Sequence, residues 1–375
     1  METSKNKQQE KAGSMAVWCL ANGDVASTNM ETHFNFWRIA GDKDFKGRPQ
    51  CPARDFLEIG LLIKNPASIE RINIYLPVDV ERKSIQDAGV QLAQTSVAQG
   101  IFNEKLQCVV TPAPARIELK NGDNLFCRVH KFIEQGGYLD ASHLSLEKFS
   151  DGTLLSIERA AIDSVSDQIK ADESIYFRLR IYLPSGKSSP FIHVITPLDR
   201  KFQSGFEEIE YIDFRFNELR TLPPQVENKI RADEKQGKIN INLVAFLTAF
   251  PVHSELSASS IQWHKNRLLE HDPWNEYVPS GIPGGMVVYH WKKESKDGTG
   301  VADFSSFVKL HTRRSGRKIL LTYLAVAFFF GLLGNLAASC VTPWFQAELR
   351  LEPHRIYRRP FGLSYAAIAG ASSMA

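Results

Sequence analysis

The amino-acid sequence predicts a mainly β protein, a two-lobed β-sandwich-like cytosolic region with a few short helices, followed by one C-terminal transmembrane α-helix. Many segments alternate apolar and polar residues with a period of two, which is typical of half-buried strands. Residues 319–341 instead form an uncharged apolar run that is long enough to cross a membrane. At 375 residues, the chain exceeds the size at which one core usually keeps growing, so two folded lobes are expected.

The predicted domain boundaries follow these patterns. The tetrapeptide IYLP occurs at residues 74–77 and again at 181–184, which indicates either a tandem pair of lobes or a chance repeat. A break in the strand pattern at residues 140–151 places the boundary between the lobes there. The expected parts are a disordered polar tail (1–16), an N-terminal lobe (17–145), a second lobe (146–292), a tether and basic juxtamembrane segment (293–318), the transmembrane helix (319–341) and a short basic tail (342–375).

The clearest predicted strand is SIYFRLRIYLP. Its odd-numbered residues from Ile175 to Leu183 are apolar and share one face, with Arg178 and Arg180 on the other. A hairpin is expected around Asn121-Gly122, because this dipeptide readily adopts the positive φ angles of a tight turn. Strands are therefore expected at residues 116–120 and 125–132, and also at 34–39, 57–63, 71–76, 191–195, 210–216, 239–250 and 286–291.

Few helices are expected outside the apolar run. A polar surface helix follows Pro223-Pro224, and a second begins at Ser259 or Ser260 and ends before Pro273. A third is expected within residues 84–94. In the juxtamembrane segment, Phe304, Phe307 and Leu310 recur at near-helical spacing, so this stretch forms a short amphipathic helix on lipid unless its cations only set topology.

The apolar run of 23 residues gives a helix of about 34 Å, enough for the hydrocarbon core of a bilayer. Cations that precede it are expected to contact lipid headgroups, namely Arg313, Arg314, Arg317 and Lys318. Arginines also follow the apolar run. The numbers of cations on its two sides, which set the orientation of a membrane helix, are therefore nearly equal. A cytosolic location for the large region is expected instead from the polar N-terminus and the five cysteines, which lack CxxC spacing. A re-entrant helix is the alternative.

Small residues form a stripe along this predicted helix. Ala327, Gly331 and Asn335 recur at every fourth position, and Gly334 and Ala338 lie beside them. Small side chains let membrane helices approach closely, and an intramembrane Asn needs a hydrogen-bond partner. The stripe predicts self-association of the helix, unless the small residues fall there by chance.

Candidate chemistry in the large region is sparse. The run DFRFNELR places Asp213, Arg215, Glu218 and Arg220 beside a core strand, as either a polar ligand pocket or a structural salt-bridge network. His264 and His271 are interpreted as surface residues on a helix, and GIPGG at 281–285 as a turn. No catalytic residue, cofactor site or metal ligand is assigned, and no cofactor is expected.

The net charge of +3 argues against a nucleic-acid partner. Three functional classes are compatible with the sequence. The first is a single-pass recognition or scaffold module of the cell membrane that binds membrane lipid and an unidentified cytosolic protein or small ligand, and that forms homo-oligomers. The second is a defence or stress sensor whose helices perturb the membrane. The third, a membrane-tethered hydrolase, would make the protein an enzyme, although no catalytic motif is present.

Overall fold

The computed structural model of the protein describes residues 13–111, 116–166, 174–184, 189–195, 207–313 and 317–350. The strands within these ranges are β1 (Ala16–Ala21), β2 (Asn29–Trp37), β3 (Gly47–Arg48), β4 (Cys51–Pro52), β5 (Phe56–Lys64), β6 (Ile69–Leu76), β7 (Ile85–Asp87), β8 (Gln107–Thr111), β9 (Arg116–Asn121), β10 (Asn124–His130), β11 (Glu134–Gln135), β12 (Tyr138–Leu139), β13 (Leu144–Phe149), β14 (Gly152–Glu158), β15 (Ser174–Tyr182), β16 (Ile192–Ile195), β17 (Glu207–Phe216), β18 (Asn240–Pro251), β19 (Ser254–Ser259), β20 (Lys265–Leu268), β21 (Met286–Glu294) and β22 (Phe304–Arg313). The helices are α1 (Thr95–Phe102), α2 (Arg159–Ser166), α3 (Pro224–Asp233), α4 (His271–Tyr277) and α5 (Arg317–Arg350).

Three sheets carry the architecture. A ten-stranded central sheet has the order β20-β21-β18-β2-β5-β15-β10-β9-β8, with β7 also paired to β15. It is mixed, because β18 runs parallel to β2 and β10 runs parallel to β15, whereas its other pairs are antiparallel. The first flanking sheet has the order β1-β6-β14-β13, and the second flanking sheet has the order β16-β17-β22-β19.

One face of the central sheet packs on both flanking sheets. A single cluster of buried apolar side chains contains Phe34 of the central sheet, Ile74 of the first flanking sheet and Phe214 of the second. The ring of Phe214 lies 5.1 Å from that of Phe34 and stacks at 4.2 Å on that of Phe246. These contacts make the β-rich region a sandwich, as the alternating sequence pattern predicts.

The opposite face of the central sheet is covered by short helices. Trp274 and Tyr277 of α4 pack with Trp37 of β2 in a second buried cluster. Helix α3 covers the outer face of the first flanking sheet, where Trp18 donates a hydrogen bond of 2.7 Å to Asp233. Strands of the central sheet are therefore buried on both faces, and this arrangement brings polar side chains into the interior.

The β-rich unit extends to Arg314, and a second unit begins at Ser315. Within α5, Leu320–Thr342 has a mean hydropathy of 2.0, and none of it is buried inside the protein. This helix is long and apolar enough to cross a membrane, as the sequence predicts.

Strand pairing crosses the predicted lobe boundary at residues 145/146. β6 pairs with β14 and β5 pairs with β15, so these sheets combine strands from before and after that position. Residues 140–151, predicted to interrupt the strands, contain β13. The last described residues of the predicted polar tail, 13–16, belong to the fold, since Met15 is fully buried.

Most predicted strands are confirmed, but three predicted helices are wrong. Residues 84–94 contain β7 and a short 3₁₀ turn, and α1 follows at Thr95. The segment between Ser259 and Pro273 forms β20 and the start of α4. Residues 304–310 belong to β22, which pairs with β17 on one side and β19 on the other. Long-range pairing decides these segments, because local spacing fits a helix and a strand equally well.

Candidate functional site

A groove opens where the central sheet and the second flanking sheet diverge, with a volume of about 330 Å³. We call it the mouth groove. Its backbone frame is the tight β18–β19 connection, where Val252 donates a main-chain hydrogen bond of 3.1 Å to Gly285. A buried hydrogen bond of 2.8 Å between the hydroxyls of Ser254 and Thr312 joins β19 to β22 at this point. Gly285 has a φ of +101°, which favours glycine in the turn that enters β21.

The lining of the mouth groove divides into an apolar floor and a polar rim. The floor consists of Phe250, Leu256, Val287 and Tyr289, and the rings of Phe250 and Tyr289 stack at 5.4 Å. The rim contains His253, Glu255 and His311. Successive side chains of a strand point to opposite faces, so Glu255 and His311, which are adjacent to the buried Ser254 and Thr312, lie on the outer face of the second flanking sheet. Glu255 lies directly opposite His311 in the strand register. The groove can therefore take a small apolar group on its aromatic floor.

A second polar cluster is enclosed between the central sheet and α4. Glu58 accepts hydrogen bonds from Arg178 at 2.7 Å, Arg180 at 2.9 Å, the Tyr277 hydroxyl at 2.7 Å and the indole of Trp37 at 3.3 Å. The Arg180 guanidinium also lies over the Tyr277 ring, 4.7 Å from its centre. The Glu58 cluster thus joins α4 to three neighbouring strands, β2, β5 and β15.

Burial and the neighbouring positive charges have opposite effects on the pKa of Glu58. Burial alone would raise the pKa of this carboxyl, but the adjacent Arg178 and Arg180 guanidiniums hold the pKa below its ordinary value. Burial raises the pKa of the Tyr277 hydroxyl, which stays protonated and donates to Glu58. Two cations face one carboxylate in the Glu58 cluster, and the hydroxyls of Tyr277 and Tyr176 and the main-chain oxygen of Tyr277 accept further hydrogen bonds from the guanidiniums.

A third polar cluster joins the central sheet to the second flanking sheet. Arg38 binds Asp55 at 2.6 Å and donates to both oxygens of Glu210 at 2.7 and 3.1 Å. All three residues are buried. Burial holds the pKa of Asp55 above its ordinary value, and the positive charge of Arg38 only partly offsets this effect. Here one cation faces two carboxylates, the reverse of the balance around Glu58.

The predicted polar pocket forms a chain of ion pairs. Arg215 lies 2.6 Å from Asp213 and 3.6 Å from Glu218, and Arg220 lies 2.8 Å from Glu218. The structure brings the four side chains together, but their charged groups form ion pairs with one another. This geometry favours the salt-bridge network over the ligand pocket.

The small-residue stripe lies within α5. Its five residues are Ala327, Gly331, Gly334, Asn335 and Ala338, and each is exposed. Nothing lies within 4 Å of the space above Gly331 and Gly334, so this stretch of helix can accept a close neighbour. Of the predicted lipid contacts, Arg314 and the side chains of Arg313, Arg317 and Lys318 lie outside the described residues.

The predicted histidine pair is separated by the fold. His264 precedes β20 and donates a main-chain hydrogen bond to His290, whereas His271 begins α4. The GIPGG segment is a turn before β21, as predicted, with Gly281 at a φ of +71°. Across the described ranges, no three His, Cys, Asp or Glu side chains are grouped as a metal site.

Sequence reasoning missed both the mouth groove and the Glu58 cluster. A signal for the cluster was present, since Glu58 is the one carboxylate inside the apolar run of residues 57–63. The alternating pattern predicts a half-buried strand with Arg178 and Arg180 on its polar face, yet both residues are at most 2% exposed. The groove had no local signal, because its lining combines the β18–β19 connection with residues of β21 and β22, which come later in the sequence.

Comparisons with known proteins do not add a family to this description. No family model matches the chain, and no curated protein shows significant sequence similarity to it.

Proposed function

We propose that this protein is a single-pass recognition module of the cell membrane, whose β-rich unit binds a partner or ligand at the cytoplasmic membrane surface. One observation carries the proposal: β22 is hydrogen-bonded into the β-rich unit, and only residues 314–316 separate it from α5 with its candidate span. The mouth groove supplies a binding site of suitable size.

The state of the cysteines supports the cytoplasmic location. Cys19, Cys51, Cys108 and Cys127 of the β-rich unit are all unpaired thiols, and Cys19 and Cys127 are buried. Secreted and extracellular proteins instead commonly use cysteines in disulfides. Self-association through the exposed stripe of α5 is part of the same proposal, because membrane helices pair through close backbone packing at small residues.

Thiol labelling in cells tests the location. An Asp297→Cys variant places a thiol in the exposed loop before β22. We expect a membrane-impermeant maleimide to label it only after the cells are permeabilised, and the full chain to remain in the membrane pellet after carbonate extraction. Cys340, within the candidate span, serves as the unlabelled control. Labelling in intact cells would reverse the orientation, and carbonate release would refute the membrane anchor.

A second candidate is a membrane-perturbing effector of a defence or stress response. Asn335 favours it, because a polar side chain in the middle of the span needs a partner and can contribute to a helix assembly that admits water. Leakage of a vesicle-trapped dye on reconstitution of the full chain would support the effector. Intact vesicles at a protein density at which helices crosslink would refute it.

A further inference from the structure

Strand β8 forms one end of the central sheet. It pairs with β9 on one side, and none of the described strands pairs with its other side. Val109 and Val110 point to opposite faces of the sheet, and both are exposed, by 43% and 52%. The main-chain N–H and C=O groups along the outer side of an edge strand are a template for pairing with another strand. A strand added beside β8 would also cover part of both valines.

The other edges of the three main sheets are protected against such pairing. At the far end of the central sheet, β20 has only four residues, which include the exposed Lys265 and Arg267. In the first flanking sheet, the Asn217 amide bonds to the main-chain N–H and C=O of Val17 in β1, and β13 carries an exposed Glu-Lys pair. In the second flanking sheet, β16 has only four residues and β19 contains a bulge. Charges, short strands, bulges and covering groups all prevent edge pairing.

The sequence of β8 is complementary to itself. Its residues QCVVT include no charge and no proline, and its register against β9 contains no bulge. Two antiparallel copies about a twofold axis at Val109 would place Cys108 opposite Val110, and Gln107 opposite Thr111. All these opposed pairs are uncharged, so no like charges meet across the contact.

We propose that β8 pairs with β8 of a second copy of this protein, so that two central sheets join into one. Each copy contributes the same strand, and the cations of β20 at the far end disfavour further growth of the joined sheet. The product is therefore a closed dimer and not a filament. The ladder is short, so the dimer is weak in dilute solution. This interface goes beyond the proposed function and is separate from the stripe of α5.

Co-isolation of two differently tagged copies tests the proposal. The full chain is used in detergent, and every copy carries Gly331→Leu and Asn335→Leu, which weaken contacts between α5 helices. Val109→Lys in both copies places like charges at the centre of the contact and is expected to lower co-isolation at least about fivefold. Leu268→Lys is the matched control, because this leucine is 63% exposed on β20, and it should co-isolate as the background chain does.

A mixture of opposite charges separates loss of the contact from loss of the fold. Val109→Glu alone should be as weak as Val109→Lys alone, whereas a mixture of the two should recover most of the co-isolation. Absence of recovery in the mixture would overturn the proposal, as would undiminished co-isolation of Val109→Lys. If copies co-isolate only when the stripe of α5 is unmodified, association belongs to that helix and the proposal is wrong.

Disulfide mapping in the same background tests the register. In Val109→Cys the two copies of residue 109 are opposed, and in Val110→Cys the new thiol is opposed to Cys108 of the other copy. Opposed residues alternate between close and wider pairs, so we expect at least one of these two disulfides to form on oxidation. Leu268→Cys on β20 should stay monomeric. Absence of both disulfides would overturn the pairing of β8 about Val109.

Discussion

Arg178 and Glu58 form an ion pair in which both side chains are completely buried, with Nη2 of the arginine 2.7 Å from Oε2 of the glutamate. The two residues lie on adjacent strands of the central sheet, β15 and β5. In the strand register, Arg178 is paired with Gly60, and Arg180 is paired with Glu58. Gly60 leaves room for Tyr176, since a Cβ at that position would lie 2.0 Å from the Tyr176 hydroxyl. That hydroxyl in turn accepts a hydrogen bond from Arg178.

Replacement of Glu58 should destabilise the protein strongly. Glu58→Gln leaves the guanidiniums of Arg178 and Arg180 buried without a carboxylate, a change that typically costs about 3–5 kcal/mol. Thermal unfolding of the detergent-solubilised full chain, followed by tryptophan fluorescence, measures the loss. Glu227→Gln is the matched control, because its partner Arg231 is an exposed residue one turn away on α3 and such pairs contribute about 0.3–0.5 kcal/mol. Similar losses of thermal stability in both variants would show that the buried cluster stabilises the protein no more than an exposed ion pair does.

Truncation should separate a soluble β-rich unit from the membrane anchor. The sequence alone predicts that a chain ending before Lys309 is soluble and folded, but this residue lies within β22. We expect a chain ending at residue 314 to be soluble, with more strand than helix by circular dichroism. A chain ending at residue 308 should unfold at a lower temperature, because Lys309 and the residues after it pair with both β17 and β19. Equal melting of the two truncated chains would contradict this.

Two histidines, the buried His130 and the partly buried His290, should contribute a loss of stability in acid. Burial lowers the pKa of His130 to about 3 and that of His290 to about 4, from an ordinary value of 6.5. The unfolded chain therefore binds more protons, so stability is fully present above about pH 6.5 and is lost as the pH falls towards 4. Burial also raises the pKa of Asp87 to about 7, which acts in the opposite direction over the same range. The histidine contribution is therefore measured as the difference in thermal midpoints from pH 7.5 to pH 4 between the unmodified chain and histidine variants.

Variants identify the groups responsible for the acid effect. His130→Gln retains hydrogen-bonding atoms for the neighbouring His143 and Ser164 but cannot be protonated in this range. Together with His290→Gln, it should lower the midpoint at pH 7.5 while making the decline towards pH 4 shallower. A double variant with the same pH slope as the unmodified chain would assign the decline to other groups.

The stripe of α5 should control self-association in the membrane. Gly331→Leu combined with Asn335→Leu fills the space beside the helix and removes its central polar side chain. Each such polar contact contributes only about 0.6–2 kcal/mol in membranes, so both positions are changed together. We expect insertion to persist and the yield of crosslinked dimer to fall. Leu333→Ala, on the other side of the helix, should change little. An unchanged oligomer distribution in detergent and in membranes would make the stripe incidental.

Period-two patterning predicts the strands well, but it does not show which face is buried. In β15 the apolar face and the face with Arg178 and Arg180 are both buried, because Glu58 and α4 cover the second face. The partner of a buried charge is set by sheet order, which joins β5 to β15 across more than one hundred residues. Local pattern carries no information about that pairing.

The error in β22 has a different cause. Phe304, Phe307 and Leu310 fit the spacing of a helix, but Phe304, Val308 and Leu310 also fit one face of a strand and are the residues that face the core. The basic residues after this segment suit contact with lipid headgroups, and they therefore also favour the prediction of a helix on the membrane surface. The mouth groove likewise could not be predicted from the local sequence, because its floor combines Phe250, Leu256 and Tyr289 from three strands.

The position of β22 determines how a mechanical load would enter the protein. The strand lies between two antiparallel neighbours, and its ten residues are all registered against β17. Inter-strand hydrogen bonds of antiparallel sheets run perpendicular to the strands. A tension along β22 would therefore shear these bonds simultaneously, whereas a strand peeled from a sheet edge would lose them one after another. With the membrane anchoring proposed for α5, a pull on that helix would load the hydrogen bonds of β22 together before it extracted the strand.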